Sequence, residues 1–342
     1  MNTKASLIGK TIEEVQSLVV SSGMPSFTAK QIANWIYQKK VNSIDDMTNI
    51  SLSHRNKLKE NFTVGRVSFA NKQESVDGTI KYLFPISNSH FIESVFIPDK
   101  ERATLCVSSQ IGCKMNCLFC MTGKQGFSGQ LSATDIINQI LSIPESEQLT
   151  NVVFMGMGEP LDNTDELFNA LDILTSDYGF AWSPKRITVS TIGVIPGLKR
   201  FLSERKEHLA ISLHSPFHAE RISWMPIEKA YPVTDVLALI KQHDFSHQRR
   251  VSFEYILFGN QNDDRKHAEA LYQLIKDIPC RVNLIKYHSI PNIDLPASDM
   301  DTMIKFRDYL TAKGITCTIR TSRGEDILAA CGMLSTNFSL PL

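Results

Sequence analysis

The sequence predicts an α/β protein, a mostly parallel sheet covered by helices and preceded by a small helical module. Three observations carry this. From Ala103 onward, short β-rich runs alternate with amphipathic helical patterns at regular spacing, which argues for strand–helix–strand units. Before Phe62 the apolar residues recur at helical spacing instead. The chain is 342 residues long and 42% hydrophobic, enough for one large domain with a small one beside it. The expected division is a helical accessory domain at 1–66, a β-hairpin extension at 67–102 and the α/β body at 103–342.

In the N-terminal part, Ile12, Val15, Leu18 and Val19 form one helical stripe, and Ala29, Ile32, Ala33 and Ile36 a second. Ser26 or Thr28 is expected to cap the second helix; Ser51 or Ser53 starts a third, with Leu58 on its inner face. Lys30, Lys39, Lys40, Arg55, Lys57 and Lys59 offer contacts to phosphates; on charge alone a solvated helix face remains the alternative. Trp35 and Tyr37 are candidate core residues. Next, the runs Ile80 to Ile86 and Phe91 to Ile97 flank Ser87-Asn88-Ser89, which is hairpin chemistry. Glu93 lies inside the second run, and a lone carboxylate in a strand is expected on the solvent face.

The body reads as seven strands, Thr104 to Val107, Asn151 to Met155, Arg186 to Thr191, Leu209 to Leu213, Val251 to Leu257, Arg281 to Tyr287 and Ile315 to Arg320. Helical patterns between them include Ala133 to Ile143, Thr164 to Leu174, Val233 to Gln242, Asp264 to Ile275 and Met300 to Thr311. Parallel sheets of this kind bind ligands at the carboxyl ends of their strands.

Lys+Arg and Asp+Glu both number 36, so the whole molecule shows no bias toward a polyanion. Two patches differ: residues 1–66 hold nine Lys/Arg against five Asp/Glu, and residues 181–206 six against one, a local excess compatible with RNA. Seven unevenly clustered cysteines argue against a secreted disulfide framework. The N-terminus has no signal-peptide core, and no apolar run reaches about 18 residues. A soluble, cytoplasmic, monomeric protein without a membrane partner is expected.

Four of those cysteines fall in fifteen residues, Cys106 to Cys120. Cys113, Cys117 and Cys120 form a Cys-x3-Cys-x2-Cys triad after the first strand of the body. Three thiolates with no fourth nearby suit an iron–sulfur cube with one open iron; a structural zinc with a distant fourth ligand, or a cluster of buried thiols, are the alternatives. At the later strand ends stand Met155-Gly-Met-Gly158-Glu159-Pro160, Val189-Ser190-Thr191-Ile-Gly193 and Ser212-Leu213-His214-Ser-Pro216. Glycines admit a ligand to the backbone and a carboxylate pairs with an ammonium group; hydroxyls and imidazole bond carboxylate or ribose. Read alone, these are equally a tight turn and polar caps on a sheet. Cys331, between Ala-Ala and Gly332, has room around its sulfur; a buried small apolar role is the alternative there, as it is for Cys280 and Cys317.

The triad with Phe119 before its last cysteine resembles the radical S-adenosylmethionine (SAM) enzymes. Leu105 to Cys113 together with Met155 to Leu161 resembles their RlmN/Cfr family of RNA adenine methyltransferases, over about Phe27 to Met333. The resemblance implies a six-unit partial (β/α) barrel and one [4Fe-4S] cluster on Cys113, Cys117 and Cys120. It implies two SAM molecules per turnover, held by Gly158, Glu159, Ser190, Ser212, Leu213, His214 and the residue at 288, where the family usually has Asn and this chain has His288. It makes Cys331 the methyl-carrying cysteine, Cys106 its disulfide-forming partner and Glu93 a proton acceptor. Partners implied are 23S rRNA, tRNA, an external electron donor and a thiol reductant. The product implied is a 2-methyladenosine; methylation at C8, or a non-catalytic metal-containing RNA-binding protein, are the alternatives.

Overall fold

The structure, a computed structural model, describes residues 4–86, 89–245 and 250–336. The N-terminal module opens with β1 (Ala5–Ser6) and α1 (Ile12–Ser21). Thr11 starts α1 with a capping box: its hydroxyl accepts from Glu14 N–H, and the Glu14 carboxylate accepts from Thr11 N–H at 2.8 Å. In α2 (Thr28–Ala33) neither Ser26 nor Thr28 serves as the cap. Phe27 occupies that position in helical backbone, and Thr28 is buried inside the first turn. The helix runs on into a π turn at Asn34–Gln38. That turn buries Ile36 and Tyr37, and the Tyr37 hydroxyl donates to the Lys10 carbonyl at 2.7 Å. Ser51 caps α3 (Leu52–Asn61); Leu58 is buried as expected, and β2 (Phe62–Thr63) pairs with β1.

Much of the module's basic charge is spent within the protein. Lys40 pairs with Glu147 at 3.0 Å and donates to Ser146, Lys59 pairs with Asp45 at 2.6 Å, and Lys39 lies over the Trp35 ring at 3.5 Å. Lys40 is therefore a docking residue that ties the module to the body. Asn138 seals the same seam with paired 2.9 Å bonds to the Val67 backbone.

Among the described residues, ten strands make one sheet. Its antiparallel end comprises β3 (Asn71–Glu74), β4 (Ile80–Pro85) and β5 (Phe91–Asp99). Ser87 and Asn88 of the expected hairpin lie outside the described residues. From β6 (Arg102–Cys106) onward every further pairing in this sheet is parallel. β7 (Gln110–Gly112) and β8 (Phe127–Gln130) form a separate ribbon around the cysteine loop and α4 (Met121–Gln125). Six strand–helix units follow from β6: α5 (Ala133–Leu141), β9 (Asn151–Phe154), α6 (Thr164–Thr175), β10 (Ile187–Thr191), α7 (Ile195–Glu204), β11 (His208–Ser212), α8 (His218–Trp224), α9 (Val233–Gln242), β12 (Val251–Leu257), α10 (Arg265–Ile275), β13 (Cys280–Lys286) and α11 (Met300–Ala312). A seventh parallel strand, β14 (Thr316–Ile319), ends the row. Every residue of β12 is buried, as a central parallel strand covered on both faces requires. No helix among the described residues is long and apolar enough to cross a membrane.

The hairpin extension does more than link. Gly324 N–H donates to Asp77 at 3.0 Å, Ser75 donates to Asp326, and Ser335 N–H donates to Glu93 at 2.8 Å. The Cys331 segment is thus hung from the antiparallel strands on one side. On the other, Met121 N–H donates to the Gly332 carbonyl at 2.8 Å and Thr122 to the Leu334 carbonyl at 2.7 Å.

Candidate active site

One cavity opens at the carboxyl ends of the parallel strands. Its wall includes Cys113, Cys117 and Cys120, and also Cys106 at the end of β6 and Cys331 on the C-terminal loop. Five of the seven cysteines therefore meet at one place, although Cys106 and Cys331 are separated by most of the chain. Cys280 and Cys317 are buried elsewhere, on β13 and β14, as small core residues.

Burial dominates the chemistry of these thiols. It pushes Cys106 and Cys113 up to about 12 and holds Cys117 and Cys120 above the ordinary thiol value; Cys331 is exposed on its loop. A metal centre must therefore displace three protons to bind here. Cys113, Cys117 and Cys120 act on one another electrostatically, and the loop carries no fourth cysteine. This soft donor set fits a cluster with one open corner.

Glu159 follows the second body strand on a glycine-rich turn and is buried. Its Oε1 accepts from Thr191 Oγ1 at 2.5 Å and Leu161 N–H at 3.0 Å; Oε2 accepts from Ile192 N–H at 2.9 Å. Burial outweighs these bonds and raises its carboxyl to about 7. Gly158 has φ +98°, and a Cβ there would stand 2.5 Å from Gln110 Cβ. Gly158→Ala is expected to lower the melting temperature, as measured by thermal unfolding, because the substitution forces strain on the turn.

Ser190, Ser212 and His214 also line the cavity. His214 Nδ1 accepts from Ile256 N–H at 3.1 Å, so the neutral ring carries its hydrogen on Nε2. Burial, with Arg221 adding to it, drives its pKa down to about 3: it remains a neutral donor near neutral pH. Phe119 packs edge-on to that ring at 5.1 Å.

Three expected site residues lie outside the cavity wall. The Leu213 side chain is fully buried behind it. His288 bonds to Ser322 Oγ at 2.8 Å through Nε2, with Glu325 at 3.7 Å from Nδ1. Glu93 is not on a solvent face: it is completely buried and pairs with Lys81 at 3.2 Å. The expectation failed because β5 is flanked by β4 and β6 and capped by the Cys331 segment.

Sequence reading passed over Glu254 and Arg320, which also line the cavity, and Arg221. A charge inside a fully buried parallel strand was the signal for Glu254. Arg221 is wholly buried on α8; it donates to Glu228 at 2.6 Å, to the Ser212 carbonyl at 3.2 Å and to the Leu213 carbonyl. It thereby holds the end of β11.

Known proteins resemble this chain over nearly its whole length. Residues 5–64 match the ribosomal RNA large subunit methyltransferase N-terminal domain, and residues 107–271 the radical SAM superfamily. A probable dual-specificity RNA methyltransferase RlmN of Parabacteroides distasonis is 62% identical over 98% of each chain. The dual-specificity RNA methyltransferase RlmN of Syntrophus aciditrophicus is 39% identical, covering 95% of this chain and 94% of its own. The crystal structure of a radical SAM methyltransferase from Sphaerobacter thermophilus superposes with a TM-score of 0.90 at 34% identity, over 96% of this chain and 99% of that one.

Proposed function

The chain belongs to the RlmN family of radical SAM RNA methyltransferases, and from that premise we propose that it methylates C2 of an adenosine in the peptidyl-transferase centre of 23S ribosomal RNA, and of an adenosine beside the anticodon of tRNAs. The observation that carries this reading is the convergence of Cys106 and Cys331 on the cavity that holds the cysteine triad.

The chemistry explains why two extra cysteines belong there. The carbon between two ring nitrogens of adenine is electron-poor and cannot attack a sulfonium methyl as an amine would. Bound at Cys113, Cys117 and Cys120, the [4Fe-4S] cluster with SAM supplies a radical strong enough to remove hydrogen from an unactivated methyl group. Cys331 takes the methyl from one SAM by nucleophilic attack and carries it on sulfur. Its carbon, after losing hydrogen, joins C2 of the adenine; the adduct then gives up one electron to an outside carrier and its C2 proton, with Cys106 helping to remove that proton, so that the ring regains its aromaticity. Cys106 then attacks Cys331 sulfur and frees the methylated base. The resulting disulfide needs an outside dithiol, and the cluster an outside electron donor.

Gly158, Glu159, Ser190, Ser212 and His214 bind SAM in this scheme. Glu93 accepts a proton in the cycle after the Ser335 N–H it now holds has moved away. The buried Glu159 pairs with an ammonium group only as the carboxylate. Its raised value, about 7, means that the carboxylate is lost as pH falls through that point. SAM affinity is therefore expected to be several-fold weaker at about pH 6 than at about pH 8, measured by equilibrium binding, and Glu159→Gln to flatten the profile. Mass spectrometry of ribosomal RNA digested after anaerobic reconstitution with iron, sulfide and SAM tests the function. The expected product is 2-methyladenosine; 8-methyladenosine without it overturns the assignment, and zinc in place of iron–sulfur overturns the class.

A further inference from the structure

Two charged residues in the cavity wall have no part in the scheme above. Glu254 belongs to a polar row in register across four parallel strands: Ser212 on β11, Glu254 on β12, Asn283 on β13 and Thr318 on β14. The Thr318 hydroxyl donates to Asn283 Oδ1 at 2.9 Å, and Asn283 Nδ2 donates to Glu254 Oε1 at 2.7 Å. That clamps the carboxylate in one rotamer. Its Oε2 is buried with no hydrogen bond and points at Arg320 Nη1, 3.5 Å away.

Arg320 follows β14. Its backbone N–H donates to the Leu284 carbonyl at 2.8 Å, which continues the sheet pairing past the strand end. The guanidinium has the buried Glu254 behind it and Met155 sulfur 3.5 Å from Nη1, and it shares the cavity wall with Cys106 and Cys331. Arg320 acts electrostatically on both sulfurs.

We propose that Arg320 is a positioning residue for the two-cysteine chemistry: a cation aimed by Glu254 that stabilises the Cys106 thiolate for the closing sulfur–sulfur step. The proposal rests on the two-cysteine reading given above. In that step the Cys106 thiolate forms a bond to Cys331 sulfur, and the bond from Cys331 sulfur to the carbon bridging it to adenine breaks. The electron pair leaves on that carbon, which takes a proton and becomes the methyl group; a dithiol later reduces the disulfide.

Burial works against this step, since it keeps the Cys106 thiol protonated. Around Cys106, β5 contributes Val95 directly opposite and Glu93 two residues along; β4 contributes Lys81, in register with Val95. Glu93 and Lys81 neutralise one another. β9 presents Val153 in register and the backbone N–H of Met155 beyond its end. Of the charges named, Arg320 is the one that favours the thiolate, and Cys331 opposes it.

The test uses full-length reconstituted enzyme and an rRNA fragment containing the target adenosine. Arg320→Gln is expected to accumulate the covalent protein–RNA adduct and to resolve it at least about tenfold more slowly near neutral pH, since one unit of thiol pKa is a tenfold change in thiolate. The deficit should persist at every pH at which the thiol is mostly protonated, and Arg320→Lys should restore resolution. Should Arg320→Gln fail to hold its cluster, Glu254→Gln provides the second arm. It removes the counter-charge and leaves the cation, so the pH for half-maximal alkylation of Cys106 by iodoacetamide, read by peptide mass spectrometry, moves down. Wild-type resolution in Arg320→Gln at every pH, or an unmoved Cys106 profile in Glu254→Gln, overturns the proposal. Failure of the underlying reading looks different: Cys106→Ala then traps no adduct at all.

Discussion

Cys331→Ala is expected to purify with its cluster and to bind SAM, yet to form no 2-methyladenosine, a loss on the order of 10³-fold or more as expected when a covalent catalyst is removed. Nucleoside mass spectrometry measures the loss; iron content and visible absorption separate it from misfolding. Cys331 sits on a loop anchored by Gly332 and Leu334 to α4 and by Ser335 to Glu93, and alanine at 331 leaves those bonds in place. Its counterpart Cys106→Ala is expected to stall one step later, with RNA covalently attached through Cys331. The adduct is read as a slow band in a denaturing gel that disappears on nuclease treatment. Full 2-methyladenosine formation by Cys331→Ala would make Cys331 structural and overturn its role as the methyl carrier.

Cys117→Ala is expected to abolish cluster binding altogether: no iron–sulfur absorption after anaerobic reconstitution and no product. The thiol is partly buried and burial holds its pKa well above the ordinary value, so the thiolate is favoured there when a metal compensates that cost. The same physics sets a pH dependence. The triad is protonated in the empty protein, so assembly releases protons and is expected to proceed further and faster as pH rises from about 6 to about 8. Absorption and bound iron, followed against pH, measure it. Efficient uptake of a single zinc ion by wild-type protein and by Cys117→Ala alike would contradict the cluster assignment.

Much of this molecule was legible along the chain. The strand runs and helices of the body recur in the structure with ends shifted by a residue or two, and Val251–Leu257 and Val233–Gln242 agree at both ends. Such elements are written locally, by alternation and by helical periodicity. The triad was equally plain, because its three sulfurs are neighbours in sequence. The errors share one cause. Glu93 was assigned to solvent because a strand has no visible neighbours in sequence, whereas β4, β6 and the Cys331 segment close over it. Lys40 read as an RNA contact until its partner Glu147, a hundred residues on, was in place.

Sequence alone determined what each segment is: its periodicity, its ligand spacing and its family, since those depend on residues a few positions apart. Only the folded sheet decided which groups share a wall. Bringing Cys106 beside Cys331, and Glu254 behind Arg320, requires strand register and loop anchoring across hundreds of residues. Those long-range pairings follow from packing and burial, which no local pattern encodes.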